Sequence, residues 1–327
     1  MKWSFSQYLI FRDCPRKWYF AYKMGSTSSV KDPICKEAFY LKQLKTIDAW
    51  RGIVADKVIS EKVIPSIVQN STISLDESLD EAKTIFDNQL AFAKERKWRN
   101  LDVIKSKTKN YIALWEIEKE LEVQEPLEIA WSEIETALTN FYQMQEIWDL
   151  FPSASQSLPQ EQLTFYLGDI YVVCQPDLII LFENKEPIIV DWKVHKFGVK
   201  DYRRQLALYA LALNQSNKLK RKYPLELTGY QPTDIRLSEV QLLTNNVHNY
   251  ALLDSDIIEI KDLIYTSNRK MKLTIADEDD DFSYLDVPIT EFIANCQKCQ
   301  FQTICQENST WEQKTICQQS KQTSFLY

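Results

Sequence analysis

The arrangement of apolar and polar positions divides the chain into a largely helical first part and a strand-rich part that begins near residue 160. Apolar residues recur at helical spacing after Ser6, over 36–62, from 75 to 121 and over 128–150. A repeat of three to four residues is typical of helices with one buried face. We predict helices over these segments, with Ser6 as the N-cap of the first.

The part from 160 to 245 changes from helical spacing to strand-like composition. EQLTFYLGDIYVVCQPDLIIL alternates and is rich in β-branched and aromatic residues, which predicts two strands. EPIIVDW and IRLSEVQLLT predict two more, while YRRQLALYALALN between them returns to helical spacing. A further helix is predicted at 254–268. The patterning therefore predicts an α/β core with a large helical portion.

Composition and charge narrow the classes of protein that fit this pattern. The chain has 327 residues, 45% of them apolar, so a sizeable core can be buried. A net charge of −7 argues against a basic DNA-coating protein, although a nucleic-acid enzyme needs only a local positive patch. With five glycines and no phosphate-binding loop, no ATP motor or dinucleotide site is recognisable.

The apolar runs and the number of cysteines bear on the localisation of the protein and on the role of its thiols. The N-terminal residues lack an uninterrupted apolar core, and no 18-residue apolar run occurs, so we expect a soluble cytoplasmic protein without a membrane partner. In a reducing compartment, seven cysteines favour metal binding or buried thiols over disulfides.

One constellation points to chemistry. QPDLIILFENKEPIIVDWKV, residues 175–194, places Asp177 by one strand and Asp191 and Lys193 on the next. Residues i and i+2 of a strand share a face, so Asp191 and Lys193 project together. Carboxylates hold hard divalent cations, and a lysine can orient water or stabilise developing charge. The D-x-K triplet alone is common and also fits an exposed ion pair at a strand end.

The segment after this triplet carries a resemblance. YRRQLALY places Gln205 and Tyr209 at i, i+4 on one helix face. In this order of motifs the chain resembles the RecB-like branch of the PD-(D/E)XK nucleases. The resemblance implies a restriction-endonuclease-like core, in which helices flank a central mixed sheet. It also implies Mg²⁺ or Mn²⁺ held by Asp177 and Asp191, with Lys193, Gln205 and Tyr209 completing the catalytic set.

Upstream positions depart in part from the family pattern. RGIVAD supplies Gly52 and then Asp56, where such nucleases carry a glycine followed four residues later by histidine. Aspartate is also a ligand for hard cations, so Asp56 is expected as an auxiliary metal ligand. The family also carries a glutamate before the first strand, and Glu161 is the position that matches it.

Three cysteines lie close together near the C-terminus: Cys296, Cys299 and Cys305. A subset of the family, including CRISPR-associated exonucleases, holds a 4Fe–4S cluster with three such cysteines and a fourth in an N-terminal segment like CPRKWYF. Here that segment, residues 14–20, supplies Cys14. The resemblance therefore implies a cluster that joins the chain ends. Four thiolates also suit zinc, and spacing alone does not separate the two.

Basic residues next to these features are candidates for nucleic-acid contacts. Arg16 and Lys17 are interleaved with aromatics, a combination that grips single strands, and Arg203 and Arg204 lie beside the predicted catalytic helix. We expect single-stranded or end-containing DNA as the substrate. A helicase or a CRISPR or defence complex is the expected partner, since the chain has no motor of its own.

These expectations divide the chain into four parts. Residues 1–56 carry the first cysteine and Asp56, 57–158 form a helical insertion, 159–270 the nuclease core, and 271–327 a cysteine-rich segment that closes an iron–sulfur subdomain. Two alternatives stay open at this point. The chain could be a catalytically impaired DNA-binding or assembly subunit with a nuclease fold, or a nuclease directed at RNA.

Overall fold

The computed structural model describes residues 2–26, 32–106, 109–195, 202–275 and 283–307. Within these ranges the chain is a mixed α/β protein, as predicted. The α-helices are α1 Phe5–Asp13, α2 Pro15–Tyr22, α3 Pro33–Leu41, α4 Ile47–Val58, α5 Ile64–Val68, α6 Leu75–Lys94, α7 Leu101–Ser106, α8 Trp115–Glu118, α9 Gln124–Gln143, α10 Gln145–Trp148, α11 Tyr202–Gln215, α12 Asn217–Lys222, α13 Pro224–Leu227, α14 Asp254–Leu273, α15 Ile293–Gln297 and α16 Gln302–Glu307. The strands are β1 Lys2–Trp3, β2 Leu44–Lys45, β3 Ala113–Leu114, β4 Gln156–Pro159, β5 Leu163–Leu167, β6 Ile170–Cys174, β7 Leu178–Leu181, β8 Ile188–Lys193, β9 Arg236–Gln241 and β10 Asn246–Tyr250.

A five-stranded mixed sheet forms the centre of the protein, in the order β10-β9-β8-β7-β4. β8 and β9 run parallel, and the other neighbouring pairs are antiparallel. A second sheet has the order β1-β6-β5, and a two-stranded one joins β2 to β3. The central sheet thus has the mixed character that the family resemblance implied.

Both faces of the central sheet are covered by helices. On one face, a buried apolar cluster joins α4, α6 and α9 to the strands, with members such as Trp50, Phe86, Phe141, Ile180 and Val190. On the other face, α11 and α14 pack on the same strands, through residues such as Leu208, Ile260, Ile179, Ile189 and Leu237. Because β8 is covered on both sides, it reads as an apolar run interrupted by Asp191. The predicted helical insertion 57–158 therefore packs directly on the sheet.

The C-terminal segment 283–307 docks against the first two helices. The buried Arg16 guanidinium donates to the backbone carbonyls of Val287 (2.9 Å) and Leu285 (2.8 Å). Phe301 is fully buried and stacks on Phe20, with ring centroids 5.5 Å apart. The two ends of the described chain thus meet, while residues 308–327 of the predicted cysteine-rich part lie outside the described residues.

Several element boundaries differ from the prediction. The first helix is capped by Ser4, whose hydroxyl accepts from the backbone N–H of Gln7, rather than by Ser6. The predicted helix 36–62 is interrupted, since α3 ends at Leu41 and β2 intervenes before α4. Segment 161–181 was predicted to form two strands and forms three, β5, β6 and β7. The strands that were not predicted are β1, β2, β3, β4 and β10. The division into four parts stays a prediction. Within the described ranges, no helix has both the length and the apolar content that crossing a bilayer requires.

Candidate active site

The structure brings Asp177, Asp191 and Lys193 together at the junction of β7 and β8. Asp177 directly precedes β7, and its Oδ2 accepts from the backbone N–H of Trp192 (2.9 Å) in β8. Lys193 Nζ forms an ion pair with Asp191 Oδ2. Asp191 is 2% exposed, and the side chain of Lys193 is 17% exposed. The i, i+2 spacing on β8 and the antiparallel pairing of the start of β7 with the end of β8 therefore yield the predicted cluster.

Burial and like charge perturb all three groups. Burial, together with the negative charge of Asp191, raises the pKa of Asp177 well above its usual range. Burial also raises the pKa of Asp191, although the Lys193 ammonium opposes that rise. Burial alone would lower the pKa of Lys193, but the charges of Asp191 and Asp177 outweigh it and the pKa is raised. The site thus has an excess of negative charge, and a bound divalent cation would reduce that excess.

Asp56 joins this cluster from the end of α4. Its Oδ1 accepts from Trp192 Nε1 (2.8 Å), from Ser60 Oγ (3.0 Å) and from Gln160 Nε2 (2.9 Å). Ser60 lies in a π-helical turn, Ile59–Val63, which directly follows α4. Such turns are frequent at functional sites, because they re-aim side chains within a continuing helix. The structure therefore places Asp56 beside Asp177.

Gln160 is a site residue that sequence reasoning missed. Its amide nitrogen also donates to Asp177 Oδ1 (3.2 Å), so one side chain links Asp56 to Asp177. The expected residue at this place was Glu161, which instead forms an ion pair with Lys218 (2.9 Å) away from the cluster. The structure thus places Gln160 rather than Glu161 beside the carboxylates, and Gln160 adopts a left-handed backbone conformation with φ of 50° that the sequence does not signal.

Gln205 and Tyr209 lie on one face of α11, as their spacing predicted. Gln205 Nε2 donates to Tyr209 Oη (2.6 Å), and Tyr209 is 5% exposed. Burial raises the pKa of Tyr209 well above its usual range, and the nearby charges of Asp191 and Asp177 raise it further. The phenol therefore stays protonated near the carboxylates and can donate a hydrogen bond there.

Glu239 is a second residue that was not predicted. It lies on β9 in register with Asp191 on β8, and it is 2% exposed. Tyr250 Oη donates to its Oε2 (2.8 Å), and Gln241 Nε2 donates to its Oε1. Its charge adds to the rise in the pKa of Asp191. β9 reads RLSEVQ, in which four of the six residues are polar, so its sequence does not mark Glu239 as buried.

A cleft of about 930 Å³ opens beside the carboxylates. Its walls come from α4, from Gln89 of α6 and Ile104 of α7, and from the turn that carries Gln160, and Asp56 and Gln160 both line it. Lys57 and Lys109 also line it. The cleft therefore reaches the edge of the cluster at Asp56 and Gln160, whereas Asp177, Asp191 and Lys193 are not among its lining residues.

The residues present fit a divalent cation by their chemistry. Asp177 and Asp191 supply hard oxygen donors, which Mg²⁺ and Mn²⁺ prefer, in a pocket where negative charge is in excess. In the part of the chain that the structure describes, no group of three or more His, Cys, Asp or Glu side chains has the spacing to hold a metal ion. Asp56 accordingly reaches Asp177 through the Gln160 amide rather than as a third carboxylate of a formed site.

The four cysteines predicted to bind a cluster lie where the chain ends meet. Cys14 is the N-cap of α2, Cys296 lies in α15, Cys299 follows it, and Cys305 lies in α16. Burial raises the pKa of the Cys299 thiol to about 11, and the charges of Cys14 and Cys305 add to the rise. Cys299 thus lies near Cys14 and Cys305, but the four thiols do not form a ready metal site among the described residues. The cluster and its ligand set stay a prediction.

The four basic residues predicted to contact nucleic acid have other partners here. Arg16 is 1% exposed and points to the C-terminal segment, and the charge of Lys17 acts on Cys299. Arg203 pairs with Asp256 and Arg204 with Glu259, both on α14 and both at 2.7 Å. Their predicted contacts with phosphates stay untested, and each arginine would have to exchange a partner to make them.

Comparison with known proteins decides the family. A family model described as the PD-(D/E)XK nuclease superfamily matches residues 2–306, nearly the whole chain. The chain belongs to this nuclease superfamily. Membership supports phosphodiester hydrolysis as the class of reaction, as the motifs implied. No curated protein matches the chain.

The solved structures that are similar to this superfamily member at low identity include the following three. SSO0001 is 13% identical, with a TM-score of 0.27, over 57% of this chain and 80% of that one. A protein of Eubacterium rectale described as a candidate exonuclease is 11% identical, with a TM-score of 0.33, over 87% and 94%. VC1899 of Vibrio cholerae is 16% identical, with a TM-score of 0.21, over 72% and 61%.

Proposed function

We propose that the protein is a Mg²⁺- or Mn²⁺-dependent DNase that acts on single-stranded DNA or on DNA ends. The observation that carries the proposal is the convergence of Asp177, Asp191 and Lys193 in a chain that belongs to a nuclease superfamily. Two carboxylates and an ammonium at one point supply what phosphodiester hydrolysis with a divalent cation requires.

Each residue has a role that follows from its position. Asp177 and Asp191 would hold the cation, which supplies an activated water and neutralises charge on the phosphate. The Lys193 ammonium, next to Asp191, stabilises the negative charge that grows on the phosphate oxygens or orients the attacking water. Gln205 holds the Tyr209 phenol near the carboxylates, so the pair positions the site and the DNA backbone.

The cleft supports a single strand as the substrate. Its volume, about 930 Å³, is comparable to that of ordinary ligand pockets and suits a few nucleotides of one strand rather than a stretch of duplex. Lys57 and Lys109 can contact phosphates along it, and Tyr111 offers an aromatic wall. Asp56 and Gln160 also line the cleft, so a strand bound there would lie next to Asp56 and to the Gln160 side chain that contacts Asp177.

A 4Fe–4S cluster held by Cys14, Cys296, Cys299 and Cys305 is part of the proposal. The near approach of these thiols at the junction of the chain ends supports it. Thiolates suit iron–sulfur clusters, and a cluster here would fasten segment 283–307 to α1 and α2. Anaerobically purified protein should then be brown, with broad absorbance near ~400 nm. Colourless protein with stoichiometric zinc would contradict the cluster.

Cleavage of labelled oligonucleotides tests the proposed activity. Wild type in Mn²⁺ is expected to cut single-stranded DNA, and Lys193→Ala is expected to lose roughly 10²-fold or more in rate, because it lacks a charge aimed at the phosphate. Wild type that cuts no better than this variant on any DNA would favour the alternative, a DNA-binding or assembly subunit. Matched RNA oligonucleotides distinguish an RNA-directed enzyme. A cytoplasmic helicase or a CRISPR or defence complex is the partner we propose.

A further inference from the structure

Gln160 occupies an unusual position between two carboxylates that reach it from different elements. Its Nε2 lies 2.9 Å from Asp56 Oδ1 and 3.2 Å from Asp177 Oδ1. Asp56 comes from α4, whereas Asp177 precedes β7. A neutral amide with two N–H donors is the group that can satisfy two acceptors of like charge at once. Gln160 thus holds together two side chains that would otherwise repel each other.

The backbone holds Gln160 in this position. Its N–H donates to the carbonyl of Asp177 (2.9 Å), and its own carbonyl accepts from Gln175 Nε2 (2.7 Å). Its φ of 50° is uncommon for a residue with a side chain, and it turns the amide towards the carboxylates. Hydrogen bonds at its backbone N–H and at its backbone carbonyl therefore fix the backbone of Gln160, and with it the direction of the side chain.

The hydrogen bonds to Asp56 leave one of its oxygens available. Every hydrogen bond that described residues make to Asp56 falls on Oδ1, from Ser60, Gln160 and Trp192. Oδ2 accepts none of them and is the atom with which Asp56 can bind a cation. Outer groups that orient a metal-ligating carboxylate commonly change metal affinity by about 10- to 100-fold. Gln160 has the place and the bonds of such a group.

We propose that Gln160 is a positioning residue that sets the cation affinity of the site, by holding the carboxylates of Asp56 and Asp177 in place with one uncharged amide. The inference rests on the proposed function and deepens it. The inference predicts the direction in which the cation affinity changes in each Gln160 variant. Loss of the amide weakens cation binding. A carboxylate of equal length also lacks the bridging donor, but it adds an oxygen donor and a negative charge next to the cation position, and this added attraction outweighs the lost positioning.

Mn²⁺ titration followed by electron paramagnetic resonance tests these directions without any substrate. Gln160→Ala is expected to bind Mn²⁺ about tenfold more weakly than wild type. Gln160→Glu is expected to bind it more tightly. Gln43→Ala is the matched control, since Gln43 lines the same cleft but its side chain donates to the carbonyl of Phe39 and not to the carboxylates, and it should leave the affinity within about twofold. Thermal unfolding in EDTA shows which variants are folded.

Two outcomes overturn the inference. Affinity of Gln160→Ala within about twofold of wild type would show that the amide does not position the carboxylates. Weakening in both Gln160 variants would indicate a structural role only, because both lose the bridging donor. Asp177→Asn separates this inference from the proposed function. If wild type binds Mn²⁺ no better than Asp177→Asn, the proposed metal site itself is wrong, whereas failure of the Gln160 variants alone leaves it in place.

Discussion

Removing the charge of Lys193 should lower the stability of the folded protein even when no substrate is present. Lys193 Nζ pairs with Asp191 Oδ2, and Asp191 is 2% exposed, so the carboxylate has little access to water. Lys193→Met keeps the volume of the side chain and deletes only the ammonium. Asp191 and its neighbour Asp177 then share a buried pocket without a compensating cation.

The expected loss in the free energy of unfolding follows from the buried carboxylate charge that is left without a partner. Breaking a buried ion pair from one side costs about 3–5 kcal/mol. The side chain of Lys193 is 17% exposed, and the carboxyl groups can take up protons, so we expect the lower end, about 3 kcal/mol at pH 8. At pH 5 the loss should be smaller, because the raised pKa of Asp177 and Asp191 lets the carboxyl groups be neutral.

Urea denaturation in EDTA measures this loss, and a double variant is its control. Asp191→Asn with Lys193→Met removes both partners of the pair, and such replacements are often close to neutral. The double variant should therefore regain most of the stability that Lys193→Met loses. Adding Mn²⁺ should raise the stability of Lys193→Met more than that of the double variant, because only the single variant keeps both carboxylates for the cation.

A loss of less than about 1 kcal/mol in the free energy of unfolding of Lys193→Met at pH 8 would contradict this prediction, because exposed ion pairs contribute that little. A double variant that is less stable than the single one would contradict it equally. Either result would mean that water reaches the pocket around Asp191 and that the pocket has no uncompensated negative charge.

Three further predictions follow from the same geometry. Burial raises the pKa of Asp177, so the folded protein keeps a proton that the unfolded chain has released; its stability in EDTA should therefore fall as the pH rises above the ordinary aspartate pKa of about 4, and Asp177→Asn should lessen that fall, whereas equal pH slopes in urea titrations would contradict it. Trp192→Phe removes the indole donor to Asp56 and should weaken Mn²⁺ binding by about tenfold in calorimetry, with unchanged affinity as the opposing result. Phe301→Ala should cost about 3 kcal/mol and speed proteolysis of segment 283–307, whereas Phe292→Ala, which alters a 72% exposed ring, should do neither.

The predicted site residues were found where local spacing determines geometry. Asp191 and Lys193 share a face because strands alternate, and Gln205 and Tyr209 share one because helices repeat. Gln160 could not be predicted, since its place depends on a left-handed turn and on contacts with Asp56 across the chain. A one-residue change in such a turn exchanges which side chain points inwards.

Long-range pairing explains the other differences. Basic clusters at Arg16 and Arg203 looked like free charge in the sequence, whereas folding supplies the first with backbone carbonyls and the second with Asp256. Strand β10 was missed because NVHNY at the edge of the sheet is mostly polar, without the alternation of a half-buried strand. These features depend on partners distant in sequence, which periodicity does not report.

Anomalous scattering from a crystal soaked in Mn²⁺ tests the central claim most directly. The account predicts a peak within about 2.6 Å of carboxylate oxygens of both Asp177 and Asp191, at the end of the cleft and next to Lys193. The same crystal form of Asp177→Asn should lack it. A soak that places Mn²⁺ elsewhere, with Lys193 still paired to Asp191 and no peak between the two aspartates, would contradict the account.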